Sequence, residues 1–413
     1  RIMAELYSLP NGWEWKKLGE LCDFIRGPFG GSLKKQIFKE NGNAVYEQSH
    51  AIYNQFEQIR YFIDDEKFEE MKRFELRPNS LIMSCSGTIG KVAIVPNNVK
   101  KGIINQALLM LTPNNELNNI FLKLMMESNF FQTLLSENST GAAIANVASV
   151  KVLKDLDIPL PPLEEQKRIV VNLDILFAKI DKAIALHQKN IDEADIFMAS
   201  VLNDVFVELE ENFQVKTIKD ISNIISGYAF KSGDFSNDNK IKSIKITNVG
   251  VQNFVEEDDN FLPEELLNKL SKYTANYGDI AIALTRPYIS NGLKVTYIPK
   301  TYDGAFINQR VAVIQSNEKF TSNNFIYHYL CTSNVLSNVM ELSKTLNQPN
   351  LSIKDLSNFE IPLPSLKTQQ KVVSYLDEIS NKMEKIKQIQ KEKMQSLKEL
   401  KASILDKAFK GEL

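Results

Sequence analysis

The chain of 413 residues is poor in the side chains that build redox, metal and membrane chemistry. It has three cysteines, Cys22, Cys85 and Cys331, and three histidines, His50, His187 and His328. They are scattered, with neither the ligand spacing of a zinc site nor the clustered cysteines of a disulfide framework. No metal site is expected, and a reducing cytoplasm is the simplest home. No apolar run approaches the roughly 20 residues that span a bilayer. Arg1–Trp13 lacks the apolar stretch of a signal peptide, so neither a membrane nor export is expected. An excess of charge of one sign is missing too. The formal net charge is −2, the first 160 residues carry 18 basic and 18 acidic side chains, and only positions 364–413 lean basic, 11 against 7. A nucleic-acid ligand would therefore need a partner to supply part of the phosphate neutralisation that dominates affinity.

Catalytic signatures are also absent. Ser86-Gly87-Thr88-Ile89-Gly90-Lys91 resembles a phosphate loop only superficially. Two residues, not four, separate its glycines, and Val92 stands where Ser or Thr is required. No G-x-G-x-x-G opens a helix, and no G-x-S-x-G, H-E-x-x-H or Asn/Asp-Pro-Pro-aromatic segment occurs. The acidic runs Asp64-Asp65-Glu66 and Glu256-Glu257-Asp258-Asp259 read as solvated loops. No catalytic residue is expected, and the chain reads as a recognition or assembly protein.

What is present is a duplication. Ile158-Pro159-Leu160-Pro161 returns as Ile361-Pro362-Leu363-Pro364, an offset of 203. The same offset places Asn105-Gln106 on Asn308-Gln309, Gln166 on Gln369, Leu173-Asp174 on Leu376-Asp377 and Phe206 on Phe409. At an offset of 200, Gly27 falls on Gly227. This period is far too long for a solenoid unit, so it marks a duplicated domain with its connector. Two similar modules on one chain point to a bipartite ligand.

Each half opens with a mixed module. β-rich runs at Val92–Val95, Leu108–Leu111, Ile280–Leu284 and Val311–Ile314 are bounded by turn residues. One amphipathic helix per module is expected, near Asn118–Ser136 and Asn323–Leu342. Each half closes with a long helix, whose start the proline pairs set by ending the preceding strand. The second helix has an apolar seam at Val372, Leu376, Ile379, Met383, Ile386, Leu397, Leu400, Ile404 and Ala408. The first has Ile169, Leu173, Leu176, Ile180, Ala183, Ala194, Phe197, Val201 and Val205. Steps of three and four are a heptad pattern. Both seams turn polar midway, at His187 and Asn190 and at Gln390 and Lys393. Two such helices joined through a compact module pack most simply as an antiparallel pair, about 60 Å long for some 42 residues. A core helix pair within one domain is the bland alternative. The expected divisions are 1–160, 161–207, 208–363 and 364–413.

These residues carry a resemblance. Ile158-Pro159-Leu160-Pro161-Pro162-Leu163-Glu164-Glu165-Gln166, Gly227-Tyr228-Ala229-Phe230-Lys231-Ser232, Ser86–Lys91 and Ala408-Phe409-Lys410-Gly411-Glu412-Leu413 together resemble the specificity subunit of Type I restriction-modification systems. The resemblance spans the chain in the order module, helix, module, helix. The second half departs from it at Ser365-Leu366-Lys367-Thr368-Gln369, which lacks the paired glutamates, and at Arg286-Pro287-Tyr288, where the first half has Gly87-Thr88. The resemblance implies an α+β fold: two globular α/β-mixed target-recognition domains in pseudo-two-fold arrangement, separated by an antiparallel coiled coil of two long helices. Each module would contact one half of a split, asymmetric site on double-stranded DNA, and the helices would set the spacer. Two modification (methyltransferase) subunits would dock on the helices and bring S-adenosylmethionine. Two restriction (translocase/endonuclease) subunits would add ATP-driven chemistry with Mg. This chain would hold no cofactor itself.

Base readout needs directional donors and acceptors on loops. In the first module the candidates are Ser32, Lys34, Lys35, Gln48, Ser86, Thr88 and Lys91. In the second they are Lys231, Ser232, Thr247, Asn248, Thr285, Arg286, Tyr288 and Lys294. Arg286, one of two arginines in its module, suits guanine O6/N7 best. Each also reads as an ordinary solvated loop side chain. Asn105-Gln106 and Asn308-Gln309, shared by modules with different targets, read as fold-supporting or as phosphate contacts. Gly27 and Gly227 read as turns needing positive φ or close backbone approach. Lys382, Lys385, Lys387 and Lys391 read as a solvated helix face or as a contact with a partner or with spacer phosphates.

A scaffold with two protein-binding domains is the alternative from another class. A detached recognition half of a fused restriction-methylation enzyme is a third reading. The duplication and the Gly411-Glu412-Leu413 ending speak against it, while Arg1 in place of methionine leaves the native start elsewhere. Lengthening both helices by whole heptads is expected to lengthen the DNA spacer and spare both half-sites. Mapping methylated adenines on genomic DNA from cells carrying the variant checks this.

Overall fold

The computed structural model describes residues 7–29, 31–137, 149–259, 261–289, 292–343 and 349–413. The chain forms two compact units, residues 1–187 with 392–413, and residues 188–391. Both are α+β and share one plan.

In the first unit an antiparallel sheet has the strand order Cys22–Arg26, Leu108–Pro113, Leu81–Ser84, Val92–Ile94. Its strands alternate strictly, because successive side chains on a strand point to opposite faces. Leu81, Met83, Leu109 and Leu111 pack with Phe121, Met125, Phe131, Ile169, Leu173 and Phe409 on the helical side. Ile82, Ala93, Leu108 and Met110 pack with Ala44, Tyr46 and Ile104 on the other. Those last residues belong to a small sheet of Tyr61–Ile63, Asn43–Tyr46 and Gly102–Ile104, whose second pairing is parallel.

The second unit repeats this. Ser222–Ser226, Val311–Ser316, Ile280–Ala283 and Val295–Tyr297 form the main sheet, and Ser243–Ile244 pairs in parallel with Phe306–Ile307. Ile280, Ile282 and Ile314 face the helical core, while Ala281, Ala283, Val311 and Val313 face the small-sheet side. Buried on both faces, these strands are continuous apolar runs, which is why they stand out in the sequence.

Three expectations change. The amphipathic helix of each module is two helices, Asn119–Glu127 with Asn129–Glu137 and Ser322-capped Asn323–Leu330 with Ser333–Leu342. The break is a buried hydroxyl. Ser128 Oγ donates to the Met125 carbonyl at 2.6 Å and accepts the Phe131 N–H at 3.3 Å. Thr332 Oγ1 does the same with the Tyr329 carbonyl (2.8 Å) and the Val335 N–H (3.3 Å). Such a side chain ends one helix and caps the next.

Second, Pro159 lies inside its strand, opposite Trp15 in the two-stranded ladder of Glu14–Lys17 with Asp157–Leu160, and that strand stops just before Pro161; in the ladder of Val215–Thr217 with Glu360–Pro362, Pro362 faces Val215 and ends its strand as expected. A two-stranded ladder leaves every other N–H unpaired, so a residue without one fits.

Third, Phe197, Ile386 and Leu400 are exposed rather than in the seam. Beyond Ala194 the first helix packs the expected Val201 and Val205 on the core of the second unit, and adds Met198 and the buried Leu202, Phe206 and Leu209, a wider stripe than a heptad seam.

The long helices are Leu163–Asn212 and Leu366–Phe409, of 50 and 44 residues. Within each unit their segments run antiparallel. In the first unit Arg168 donates to the Leu413 carbonyl at 3.0 Å, while Lys401 Nζ lies 2.7 Å from both Asp181 carboxylate oxygens. In the second, Asn190 Nδ2 donates to Gln390 Oε1 at 3.4 Å and Lys387 Nζ to Asp195 at 2.8 Å. Lys382 is paired with Glu378. In the second unit His328 Nε2 also lies 2.8 Å from Asp377 of the helix; burial lowers its pKa against the pull of that carboxylate.

Each helix start is fastened to its module by one buried glutamine. Gln166 Nε2 donates to the Glu116 and Pro161 carbonyls (2.8 and 2.9 Å), and its Oε1 accepts the Asn118 N–H at 2.8 Å. Gln369 Nε2 donates to the Phe320 and Pro364 carbonyls (2.8 and 2.9 Å), and its Oε1 accepts the Thr321 hydroxyl at 2.8 Å. Truncation removes all three hydrogen bonds of a buried side chain and leaves its partners, part-buried to buried, without them. Gln166→Ala should cost the first unit about 3 kcal/mol, read by denaturant unfolding of the full chain, and Gln369→Ala should do the same to the second.

Candidate nucleic-acid interface

Strand direction decides which loops meet. In the first unit the segment after Arg26, the loop from Ser84 to Val92, the turn before Leu108 and the chain after Tyr46 all leave from one end of the sheets. Backbone bonds tie them: Gly27 N–H to the Leu108 carbonyl (3.0 Å), Cys85 N–H to Ala107 (2.9 Å) and Asn105 N–H to Tyr46 (2.9 Å). The second unit makes the same three ties, from Gly227 to Val311 (3.1 Å), Leu284 to Arg310 (2.8 Å) and Asn308 to Ile244 (3.0 Å). Gly27 and Gly227 are close-approach glycines. A Cβ there would sit 1.8 and 2.0 Å from the carbonyl oxygens of Asn105 and Asn308.

On this frame the first unit carries Ser86, half-buried, and Thr88 and Lys91, exposed. Gln48 opens the helix Gln48–Tyr53, half-buried. Ser32, Lys34 and Lys35 are exposed on the segment that leaves after Gly27, and the Ser32 hydroxyl donates to the Phe29 carbonyl at 3.0 Å. Cys85, beneath this loop, is pushed up to about 11 by burial, with Arg26 working against it, so its thiol stays protonated.

In the second unit Lys231 and Ser232 are exposed on a short turn, and Thr247 is exposed beyond the strand Ser243–Ile244. Thr285, Arg286, Tyr288 and Lys294 come together on one hairpin. Thr285 bridges to Asn350, and Tyr288 leans on the helical core. Lys294 Nζ donates to the Ile246 carbonyl at 3.0 Å, and its pKa is lowered by burial and then by the Arg286 charge. Asn248 is a correction: it is fully buried, its Nδ2 donating to the Val255 carbonyl (2.8 Å) and its Oδ1 accepting the Lys245 N–H (2.7 Å). Its amide holds the loop together and faces no solvent.

The pairing register places Ser84 and Ala283 on equivalent central-strand positions, so Gly87 corresponds to Arg286. Both are left-handed, at φ +68° and +48°. Glycine adopts this freely; an arginine does so at a cost.

Residues that the sequence patterns missed also lie here. Arg310 is exposed at the position of Ala107, visible once the repeated Asn-Gln pair is extended by one residue. Arg60 is exposed beside the start of the strand Tyr61–Ile63, its guanidinium 4.9 Å from the Tyr61 ring centroid. Phe29 and Tyr53 are each 75% exposed; a lone aromatic in a polar loop gives no periodic signal.

Among the described residues, no group of three His, Cys, Asp or Glu could hold a metal ion, and no helix is long and apolar enough to cross a membrane. A duplicated α+β domain with one conserved frame and two different sets of polar loops is the build of a two-headed recognition protein. The chain belongs to the family described by the Type I restriction modification DNA specificity domain, which matches residues 10–194 and 210–393. It is 27% identical to the Type I restriction enzyme MjaVIII specificity subunit of Methanocaldococcus jannaschii over 95% of this chain and 92% of that one. It is 24% identical to the EcoKI specificity subunit of Escherichia coli over 98% and 90%. Its fold matches a chain from a structure addressing complex assembly of the type I R-M system, with a TM-score of 0.72 over 99% of this chain and all of that one at 22% identity. It also matches the HsdS subunit of Thermoanaerobacter tengcongensis, with a TM-score of 0.56 over 99% of both chains at 22% identity. The chain is a specificity subunit with two DNA-recognition domains; the catalysis of such systems lies in other subunits.

The arginine at the left-handed position yields a stability prediction. Arg286→Gly removes the backbone strain, so the second unit should be as stable as before or up to about 1 kcal/mol more so. Thermal melting of the full chain checks it.

Proposed function

We propose that each unit reads one half of a bipartite, asymmetric site on double-stranded DNA through the loops at the shared end of its sheets, and that the long helices set the untouched spacer. The observation that carries this is the contrast at one location: frame residues repeat (Gly27 and Gly227, Asn105 and Asn308), while the loops upon them differ, Gly87-Thr88 against Arg286-Pro287-Tyr288. Different half-sites require that division. The contacts with DNA are Ser32, Lys34, Lys35, Gln48, Ser86, Thr88 and Lys91 in the first unit and Lys231, Ser232, Thr247, Thr285, Arg286, Tyr288 and Lys294 in the second, joined by Arg310; Lys91 and Lys294 stand at equivalent positions, their carbonyls accepting the Ser84 and Ala283 N–H groups at 2.9 and 3.0 Å, and so suit the shared backbone rather than a base. Arg286 suits guanine, whose O6 and N7 accept a bidentate guanidinium.

Two modification subunits dock on the helices and bring S-adenosylmethionine to adenines flipped from a duplex held in register. Two restriction subunits add ATP- and Mg-dependent chemistry. Exposed Val171 and Ile175 on one helical segment, and Ile196, Phe197 and Tyr375 on others, support docking there, since the facing helix leaves them uncovered. Two half-sites on one face of a duplex lie about 34–36 Å or a multiple apart, a span that helices of 50 and 44 residues can bridge at 1.5 Å per residue. The near-neutral chain leaves much of the phosphate neutralisation to those partners. The complex works in the cytoplasm.

Exchanging residues 215–360 for the corresponding module of another family member tests the two-reader model. The joints fall at the paired strands Val215–Thr217 and Glu360–Pro362, so the exchange leaves the helices intact. One half-site should change and the other persist, as read from methylated adenines in the host genome. Unchanged specificity after the exchange would sink the model.

A further inference from the structure

On the turns at the loop end of the sheets, an exposed glutamine recurs at the same place in both units. The turn leading into the middle strand reads Asn105-Gln106-Ala107 in the first and Asn308-Gln309-Arg310 in the second. Its backbone is held on every side. The Asn105 carbonyl accepts the Leu108 N–H at 3.1 Å, and Asn105 Oδ1 accepts the Ala107 N–H at 3.0 Å. The Asn308 carbonyl accepts the Val311 N–H at 2.9 Å, and the Gln309 N–H donates to the Tyr228 carbonyl at 2.9 Å. Gly27 and Gly227 press on the asparagine carbonyls from the strand beside. The Asn105 side chain is therefore structural, and at Asn308 the backbone is held in the same way. The glutamine side chains are not: both are exposed, and neither side-chain amide takes a hydrogen bond among the described residues.

We infer that Gln106 and Gln309 each donate from the side-chain amide to a DNA phosphate, at equivalent points of the two half-sites, and act as positioning residues that set each module's register. The inference rests on the proposed function and deepens it. Two half-sites of different sequence share their sugar-phosphate backbone, so a side chain common to two different readers must meet what is common to both. An amide on an immobile turn has the donor for it, and backbone contacts fix orientation and register while carrying no sequence information. The third turn position diverges, Ala107 against Arg310, as expected of a neighbour that faces bases instead.

The test uses the full chain assembled with its modification subunits, a duplex carrying the methylated site, duplexes altered in either half-site, and a series of salt concentrations. Gln106→Ala and Gln309→Ala should each weaken binding on the order of tenfold, equally on every duplex, leaving the preference for the intact site unchanged. Because the lost donor is neutral and displaces no counterion, the slope of log affinity against log salt should also stay unchanged. Gln106→Lys should recover the affinity and steepen that slope by about 0.9. Gln106→Glu, nearly isosteric, should bind more weakly than Gln106→Ala, which keeps the test open if the alanine variant melts early. Wild-type affinity in both alanine variants, wild-type affinity in Gln106→Glu, or a loss confined to one base pair would overturn the inference while leaving the two-reader model standing. A wild-type complex with no preference for the intact site would overturn both.

Discussion

Everything in each unit hangs on a glutamine that is almost entirely removed from solvent. Gln166 and Gln369 stand in the first turn of the long helices, where backbone groups lack helical partners. Each spends its amide on two carbonyls and its oxygen on a third group, drawn from the turn that enters the module's helical layer and from the proline just before the long helix. Three directional bonds in a dry site fix the helix by angle as well as position, which apolar contacts alone would not. Within each unit these glutamines fix the long helix to the module that precedes it, with near-identical geometry.

The frame and its cargo are separated at single-residue resolution. Glycine at 27 and 227 is dictated by a neighbouring carbonyl, asparagine at 105 by the turn its side chain closes, serine or threonine at 128 and 332 by the helix it ends. At the left-handed position, by contrast, one unit has the residue the backbone prefers and the other has Arg286. Gln252, at φ +56°, is the other non-glycine residue of that unit in this region, so the unit carries the cost at two points.

Much of this was legible in the sequence, because duplication exposes it. The repeat, the two modules and the long helices follow from pattern alone, and the buried strands announce themselves as apolar runs. What escaped did so for local reasons. A hydroxyl breaks a helix only when it is buried, and burial is invisible in Ser128 or Thr332 read singly. Pro159 reads as a strand breaker until one knows that its ladder has only two strands. The seam near Phe197 followed a heptad in the sequence because three- and four-residue steps suit both a coiled coil and a helix lying on a domain. Asn248 looks like a polar loop residue, and only its neighbours reveal that both ends of its amide are taken. Arg60 carries no spacing signal, Arg310 only its place next to the repeated Asn-Gln pair, and the strand order that gathers them is a long-range property.

The make-up of the first unit has a consequence for how the chain is made. Leu405, Ala408 and Phe409 are buried in a core whose other members lie between Leu18 and Leu173. That core therefore stays open on the ribosome while more than two hundred further residues are synthesised. The second unit, contiguous from 188 to 391, can close before it. The usual order, in which the N-terminal domain folds first, is inverted. A nascent chain arrested in the second half would carry a finished second unit beside an unfinished first, with a greasy face exposed to proteases and chaperones. The first unit's core is completed only in chains that already contain the second unit.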